Sequence, residues 1–143
     1  MRNSLELTPS MEDYLETILL LEQKNRVARV KDIAGALSVQ MPSVTGALKS
    51  LKSRSLVEYE KNSFINLTPK GLKLAGAVLQ RHKILVEFFR VALGLEGKKA
   101  ENQACRMEHV IDQDTALRFQ NITRWIQTSD NSPVPPGCLN HSA

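Results

Sequence analysis

The middle of the chain contains two short helical patterns separated by a break of only three residues, and this spacing constrains the fold more than any other feature. The segment VKDIAGAL is amphipathic, SVQ interrupts it, and MPSVTGALKSLKSR starts a second helical pattern. Pro42 occupies an early position of the second pattern, where its missing N–H costs little. Val44, Leu48 and Leu51 supply an inward face. Two short helices joined by a tight break predict a helix-turn-helix.

The segment after the second helix alternates apolar and polar residues on either side of a turn. LVEYE and FINLT each have the period of two that is typical of strands, and KNS between them has turn chemistry. This pattern predicts a β-hairpin. A helix-turn-helix followed directly by a hairpin predicts a winged helix.

Positive charge is concentrated in the same part of the chain. Seven basic residues and one acidic residue, Asp32, lie between Lys24 and Leu56, which gives a local charge of +6 in a chain whose net charge is +4. The remainder of the chain is therefore slightly acidic. A basic module joined to a mildly acidic one predicts that the basic module contacts nucleic-acid phosphate.

Eight residues of this module are candidate DNA contacts. We expect the second helix of the pair to enter the major groove, with short donors near its N-terminus reaching phosphate or base edges and its lysines meeting phosphate. Solvated surface is the alternative for those lysines. Residues outside this helix are candidates for flanking or wing contacts with phosphate. The full set is Arg26, Arg29, Pro42, Ser43, Thr45, Lys49, Lys52 and Lys61.

The rest of the chain has helical patterns. Thr8-Pro9-Ser10 begins a first helix, Thr68-Pro69 begins a long helix that Gly94 ends, and EGKKA is a predicted loop. ENQACRMEHVI and DTALRFQNITRWIQ are two further predicted helices. The predicted fold is mostly α with a small β-hairpin. It comprises an N-terminal winged helix-turn-helix (1–72), an all-α domain (73–130) and a flexible Pro-, Ser- and Asn-rich tail (131–143).

Several classes of protein are excluded by the composition and motifs. No apolar run reaches the roughly 18 residues that a membrane span requires. Only two cysteines occur in 143 residues, and the N-terminus lacks a signal-peptide layout, so we expect a cytoplasmic protein. The sequence lacks the paired histidines of a metalloprotease, a Gly-rich phosphate loop and a nucleophile elbow. We therefore expect that the protein is not an enzyme and binds no nucleotide cofactor.

The segment ENQACRMEHVID gathers side chains that bind metal ions. On a helix, Glu101, Cys105 and His109 would form one stripe with Glu108 beside it. Carboxylate, thiol and imidazole together suit a first-row divalent ion. Further candidates lie elsewhere, at Asp13, Glu16 and His82. Each residue alone has a simpler interpretation: Cys105 as a buried apolar side chain, the others as polar surface. In the tail, Cys138 and His141 are three positions apart, and two donors at this spacing are weak evidence for a metal site.

Two apolar helix faces are candidates for a subunit interface. The long helix is too apolar between residues 84 and 95 for a surface helix, which predicts either deep core or a contact between subunits. The last helix has a second apolar face. The candidate dimer residues are Leu85, Phe88, Phe89, Phe119, Ile122 and Trp125.

The chain resembles the diphtheria toxin repressor family of metal-dependent repressors from about residue 8 to about residue 128. The resemblance rests on TPSMEDYLETI, ARVKDIAGALSVQMPSVTGALKSLKSRSLVEYEK, LTPKG, RHKILVEFF and ACRMEHVID. It implies a winged helix followed by a helical dimerisation domain, with metal bound between them. The two-domain length is similar to that of the manganese transport regulators.

The resemblance also implies roles for individual residues. Positions matching family ligands are Asp13, Glu16, His82, Cys105, Glu108 and His109, and Glu101 is a further candidate. Asp13 and Glu16 match the manganese branch, whereas Cys105 matches the iron branch. Val86 stands where the iron branch has a glutamate of its ancillary site, so that site is not expected in its known form.

These features together predict a divalent-metal-activated DNA-binding regulator that represses metal-uptake genes as a homodimer on a palindromic operator. Hard oxygen donors favour Mn²⁺ slightly over Fe²⁺, and we expect Co²⁺, Ni²⁺ or Zn²⁺ to substitute in vitro. The alternative is a winged-helix regulator controlled by a small ligand or by oxidation of Cys105.

Overall fold

The first helix, α1 (Pro9–Asn25), begins at the predicted start signal, because the Thr8 hydroxyl accepts a hydrogen bond of 3.2 Å from the Met11 N–H. It ends where Arg26 adopts a left-handed conformation, with φ of 66°. Its inward face consists of Tyr14, Leu15, Ile18 and Leu19, all buried. The computed structural model describes residues 6–128.

The predicted helix-turn-helix is confirmed as α2 (Val30–Leu37) and α3 (Met41–Ser53). The chain turns at Ser38, whose φ of 54° is left-handed and ends α2. The inward faces of both helices are fully buried, at Ile33 in α2 and at Leu48 in α3. Burial of these faces leaves the opposite side of α3 at the surface.

The predicted hairpin is present but shorter than the sequence suggests. Strands β1 (Val57–Glu58) and β2 (Asn66–Leu67) form a two-stranded antiparallel sheet, in which Val57 is paired with Leu67. In the connection between them, Ile65 forms an isolated bridge with Ala28, donating its N–H to the Ala28 carbonyl at 2.9 Å. The wing is thus anchored to the segment before α2.

The start of α4 (Pro69–Val91) is fixed by a close approach to the residues before β1. The Thr68 hydroxyl donates to the Ser55 carbonyl at 2.7 Å and accepts from the Gly71 N–H at 3.0 Å. A Cβ at Gly71 would lie 1.9 Å from the carbonyl oxygen of Leu56. Only glycine fits at this position unless the backbone moves.

The remaining helices are α5 (Gly97–Met107) and α6 (Gln113–Thr128). Together with the second part of α4 they surround a core that contains Leu85, Phe89, Ala100 and Ala104. The chain divides into two compact units, Met1–Val78 and Leu79–Ala143, and the predicted boundary after residue 72 lies in the same helix as this division. The predicted fold class, a winged helix followed by an all-α domain, is confirmed.

Two predicted boundaries in the second unit are wrong. The predicted loop EGKKA is mostly helix, because the Glu96 carboxylate accepts hydrogen bonds from the N–H groups of Lys98 and Lys99 and so caps α5 at Gly97. The predicted continuation of this helix to Ile111 is also wrong, since α5 ends at Met107. Glutamate is not among the commonest capping residues, so the sequence alone favoured the later start.

No helix in the described part of the chain is long and apolar enough to cross a membrane. The predicted flexible tail (131–143), with Cys138 and His141, lies outside the described residues.

Candidate functional site

His82, in the middle of α4, lies between two carboxylates. Its Nδ1 is 2.5 Å from Oε2 of Glu108, and its Nε2 is 2.7 Å from Oε2 of Glu101. The His82 side chain is 13% exposed, whereas that of Glu101 is 56% exposed. One imidazole is therefore contacted by a carboxylate from the interior and by another from the surface.

The Cys105 thiol completes a compact group of donors with His82 and Glu108. Its Sγ lies 3.9 Å from Nδ1 of His82, and one potential ligand atom from each of the three residues lies within 4.8 Å of the others. Ligands bound to one transition metal at about 2.0–2.3 Å lie roughly 3–4.5 Å apart. The nitrogen, sulfur and oxygen donors therefore fit one first-row divalent ion with little rearrangement.

Glu108 is the buried member of the group, with a side chain that is 2% exposed. Burying a carboxylate is unfavourable unless the charge is compensated. Two imidazoles lie beside this carboxylate, because Nδ1 of His82 contacts one oxygen and Nε2 of His109 lies 3.5 Å from the other. A bound cation would compensate the same charge.

The predicted helical stripe of Glu101, Cys105 and His109 is corrected by the end of α5. Glu101 and Cys105 lie on the helix four residues apart, as predicted. Glu108 is the C-terminal cap and keeps helical dihedral angles, whereas His109 lies beyond it in a turn and is not placed by helical periodicity. Asp13 and Glu16 lie on α1 in the first unit, and both are half-buried.

A groove of about 1240 Å³ separates α3 from the wing. Four basic residues and one acidic residue, Glu60, line it, so its charge is strongly positive. It brings together five of the eight predicted DNA contacts, namely Arg29, Thr45, Lys49, Lys52 and Lys61. Arg26, Pro42 and Ser43 are exposed but are not among the residues that line it.

Two groove cations are held in place by the wing. The Lys52 ammonium donates to the Tyr59 carbonyl at 2.8 Å, and the Arg29 guanidinium lies 5.1 Å from the centre of the Phe64 ring. Phe64 and Met41, which were not predicted to contact DNA, also line the groove and are 46% and 51% exposed. Met41 stands three residues before Val44 and so belongs to the apolar pattern of α3, whereas Phe64 alternates out of step with Ile65 and Leu67, which was a usable signal that it faces outward.

The six candidate dimer residues fall into three groups. Leu85 and Phe89 are buried in the core of the second unit. Phe88 and Phe119 are partly buried against that core, with ring centroids 4.6 Å apart. Ile122 and Trp125 on α6 are 47% and 59% exposed. Leu85 is 0% exposed within its own chain, so it has no surface to offer a partner.

Comparisons with known proteins agree with both units. A family model described as the iron dependent repressor N-terminal DNA binding domain matches residues 6–64. A second model, described as the iron dependent repressor metal binding and dimerisation domain, matches residues 68–132. The two models together match most of the chain.

Similar proteins include the HTH-type transcriptional regulator MntR of Bacillus pumilus (strain SAFR-032), which is 35% identical over 127 residues, 89% of this chain and 88% of that protein. MntR of Lysinibacillus sphaericus (strain C3-41) is 37% identical over 126 residues, 88% of each chain.

Among solved structures, the manganese regulator SloR has a TM-score of 0.72 and 28% identity, covering 83% of this chain and 55% of that one. IdeR of T. acidophilum has a TM-score of 0.70 and 26% identity, covering 87% and 55%. The chain thus spans just over half the length of these two solved chains. The resemblance predicted from sequence is confirmed: the chain belongs to the iron dependent repressor family and is a metal-dependent DNA-binding transcriptional regulator, not an enzyme.

Proposed function

We propose that this protein is a homodimeric repressor of metal-uptake genes, and that binding of Mn²⁺ raises its affinity for a palindromic operator. The observation that carries the proposal is the group formed by His82, Cys105 and Glu108, whose donor atoms lie close enough for one ion. This group lies in the part of the chain that matches a metal binding and dimerisation domain.

The proposed ligand set extends beyond that group to both units of the chain. Glu101 adds a carboxylate beside His82, and His109 adds an imidazole beside Glu108. We propose that Asp13 and Glu16 supply the donors from α1. A bound ion would neutralise carboxylates that otherwise repel one another, and ligands from two units would restrict how those units move. The full proposed set is Asp13, Glu16, His82, Glu101, Cys105, Glu108 and His109.

The donor chemistry favours Mn²⁺ over Fe²⁺ by a small margin. Carboxylate oxygens are hard donors that suit Mn²⁺, and the similar protein SloR is described as a manganese regulator. The Cys105 thiolate is softer and keeps Fe²⁺ as the second candidate. Tight binding of Co²⁺, Ni²⁺ or Zn²⁺ in vitro is expected from the Irving–Williams order and would not identify the physiological ion.

The positive groove between α3 and the wing is the proposed DNA surface. The exposed side of α3, from Pro42 to Lys52, enters the major groove, and Arg29 before α2 and Lys61 in the wing meet phosphate. A dimer presents two such surfaces, which fit two half-sites only when their spacing matches a helical repeat of about 34–36 Å or a multiple. Metal binding would favour the arrangement of units that fits, which is a shift of population.

The exposed apolar side chains of α6 are the proposed dimer surface. Ile122 and Trp125 remain accessible after the core of the second unit is formed, and Phe119 extends the same face inward. We place the protein in the cytoplasm, where its operator would be. Replacing Trp125 by Ala should weaken dimerisation, and sedimentation of a stable wild-type monomer in the presence of Mn²⁺ would contradict the dimer.

The proposal is tested by titrating the DNA upstream of the protein's own gene, measured by fluorescence anisotropy without oxygen. We expect tight binding with Mn²⁺, weak binding with a chelator, and loss of the metal response in the His109→Ala variant. Binding that ignores the chelator would leave the DNA surface intact but exclude metal control. That result would favour regulation by a small ligand or by oxidation of Cys105, which is exposed.

A further inference from the structure

Glu108 lies at the C-terminal end of α5, and helix ends tend to fray. A side chain that is to be held in one orientation therefore needs support there. Glu108 has φ of −59° and ψ of −24°, and its N–H still bonds to the Ala104 carbonyl. Residues beyond it form a turn before α6. The last carbonyls of a helix have no partner within the helix, so the Glu108 carbonyl needs one from elsewhere.

Arg81 supplies that partner. Its Nε donates a hydrogen bond of 2.9 Å to the carbonyl oxygen of Glu108, and it is the residue directly before His82 on α4. Two neighbouring residues of α4 therefore both contact Glu108. His82 contacts the Glu108 side chain, and Arg81 contacts its backbone.

A second contact joins Arg81 to the start of α6. Nη1 of Arg81 lies 3.5 Å from Oε1 of Gln113, the first residue of that helix, and Nε2 of Gln113 donates to Oε1 of Gln80 at 2.5 Å. The turn between α5 and α6 is thus tied to α4 at Glu108, where it begins, and again at Gln113, where α6 begins. The planar guanidinium has donors at fixed angles, which makes it well suited to bridge two acceptors.

We propose that Arg81 and Gln113 are positioning residues that hold the Glu108 turn and thereby set its carboxylate against His82 and Cys105 for metal binding. The inference rests on the proposed metal site and adds residues that contribute no ligand to it. Partners that orient ligands typically change metal affinity by about 10–100-fold when they are removed. We expect a loss of about that size in Arg81→Ala and a smaller one in Gln113→Ala.

The sign of the change in Mn²⁺ affinity in Arg81→Ala distinguishes a positioning role from an effect of the arginine charge. Arg81 carries a positive charge beside a cation site, so Coulomb repulsion alone predicts that its removal would tighten metal binding. Positioning predicts the opposite. Arg118→Ala is the matched control, because it removes the same charge from α6 at a side chain that is 76% exposed and paired only with Asp114 among the described contacts.

The experiment measures Mn²⁺ affinity by equilibrium dialysis on the full chain, with thermal unfolding of each metal-free variant as a check on the fold. We expect weaker Mn²⁺ binding in Arg81→Ala, wild-type binding in Arg118→Ala, and an intermediate value in Arg81→Lys, which keeps one donor and the charge. The metal-free unfolding temperature should change little between Arg81→Lys and the wild type.

Equal or tighter Mn²⁺ binding in Arg81→Ala would overturn the inference while leaving the metal site in place, provided that Glu108→Gln still loses the ion. Should Arg81→Ala fail to fold, Arg81→Lys and Gln113→Ala decide, and wild-type affinity in both would overturn it. Failure of the wild type to bind Mn²⁺ or Fe²⁺ would overturn the inference and the proposed function together.

Discussion

The two units of the chain use charge in opposite ways. In the first unit, the cations of the groove are spread over an exposed surface, and Lys49 and Lys61 face solvent. In the second unit, the His82 imidazole contacts two carboxylates, one on each ring nitrogen, and the Glu108 side chain is almost fully buried. Exposed charges act over long distances and are screened by salt, whereas a buried cluster depends on the placement of each atom. Substitutions should therefore have graded effects in the groove and abrupt ones in the cluster.

The largest effect is expected at the cluster. Glu108→Gln removes the buried negative charge while keeping the size of the side chain, and we expect Mn²⁺ affinity to fall by more than about 100-fold, beyond the range seen for residues that only orient ligands. Isothermal titration calorimetry measures the change. Asp114→Asn is the control, since it neutralises a carboxylate that is 75% exposed. Equal losses in both variants would mean that overall charge, not placement, determines affinity.

The second largest effect is expected in the first unit, on the free energy of unfolding. Substitutions of glycine there test packing, not charge. Gly71→Ala should lower the free energy of unfolding by about 1–3 kcal/mol, because its Cβ would collide with the Leu56 carbonyl. Gly76→Ala in the same helix meets no atom within 4 Å and should be stabilising by up to about 1 kcal/mol. Urea denaturation measures the change in the free energy of unfolding for both variants, which should differ in sign. An unchanged value in Gly71→Ala would show that the contact between Gly71 and the Leu56 carbonyl is loosely packed.

Graded behaviour is expected in the groove. Lys49→Ala should weaken binding to any duplex DNA several-fold and reduce the salt dependence of log K by about one unit. Anisotropy titrations at several salt concentrations measure both quantities. Lys73→Ala is the control, because this lysine is exposed on α4 and is not among the groove residues. An unchanged salt slope in Lys49→Ala would remove Lys49 from the DNA surface.

The smallest effect is expected at the turn before α6. The N–H of Thr115 donates to the Asp112 carboxylate at 2.7 Å, and this bond, followed by one from the Thr115 side chain, holds the pKa of Asp112 below its usual range. A lowered pKa in the folded state means that the stabilisation is present at neutral pH and is lost as pH falls below about 4. Asp112→Asn should therefore be slightly less stable than the wild type at pH 7, with the difference shrinking in acid. Thermal unfolding across pH checks this, and a pH-independent difference would contradict it.

The sequence predicted the first unit better than the second, and the reason is physical. The helix-turn-helix depends on local signals, such as Pro42 near the start of α3, that need no knowledge of distant residues. The start of α5 depends on one capping carboxylate, Glu96, that a sequence pattern does not single out. Whether an apolar side chain such as Leu85 belongs to the core or to a subunit interface depends on tertiary packing, because both environments require the same residue types.

The proposed metal ligands illustrate the same limit. The spacing of Glu101 and Cys105 on α5 was sufficient to predict a shared helix face. The contact of both with His82 could not be derived from spacing, since His82 and Glu101 are 19 positions apart and lie on different helices. The resemblance to a known family supplied that connection. The proposed role of Arg81 could not be predicted, because it depends on a hydrogen bond to the backbone of Glu108.

The most direct test of metal control is thermodynamic linkage. If Mn²⁺ raises the affinity for operator DNA by some factor, then operator DNA must raise the affinity for Mn²⁺ by the same factor. Mn²⁺ affinity would be measured by calorimetry on the wild-type protein, with and without saturating operator DNA at one salt concentration. The account predicts tighter Mn²⁺ binding to the DNA complex, by the factor found in the reverse titration. Equal Mn²⁺ affinity with and without DNA would contradict it, because the two units would then bind their ligands independently.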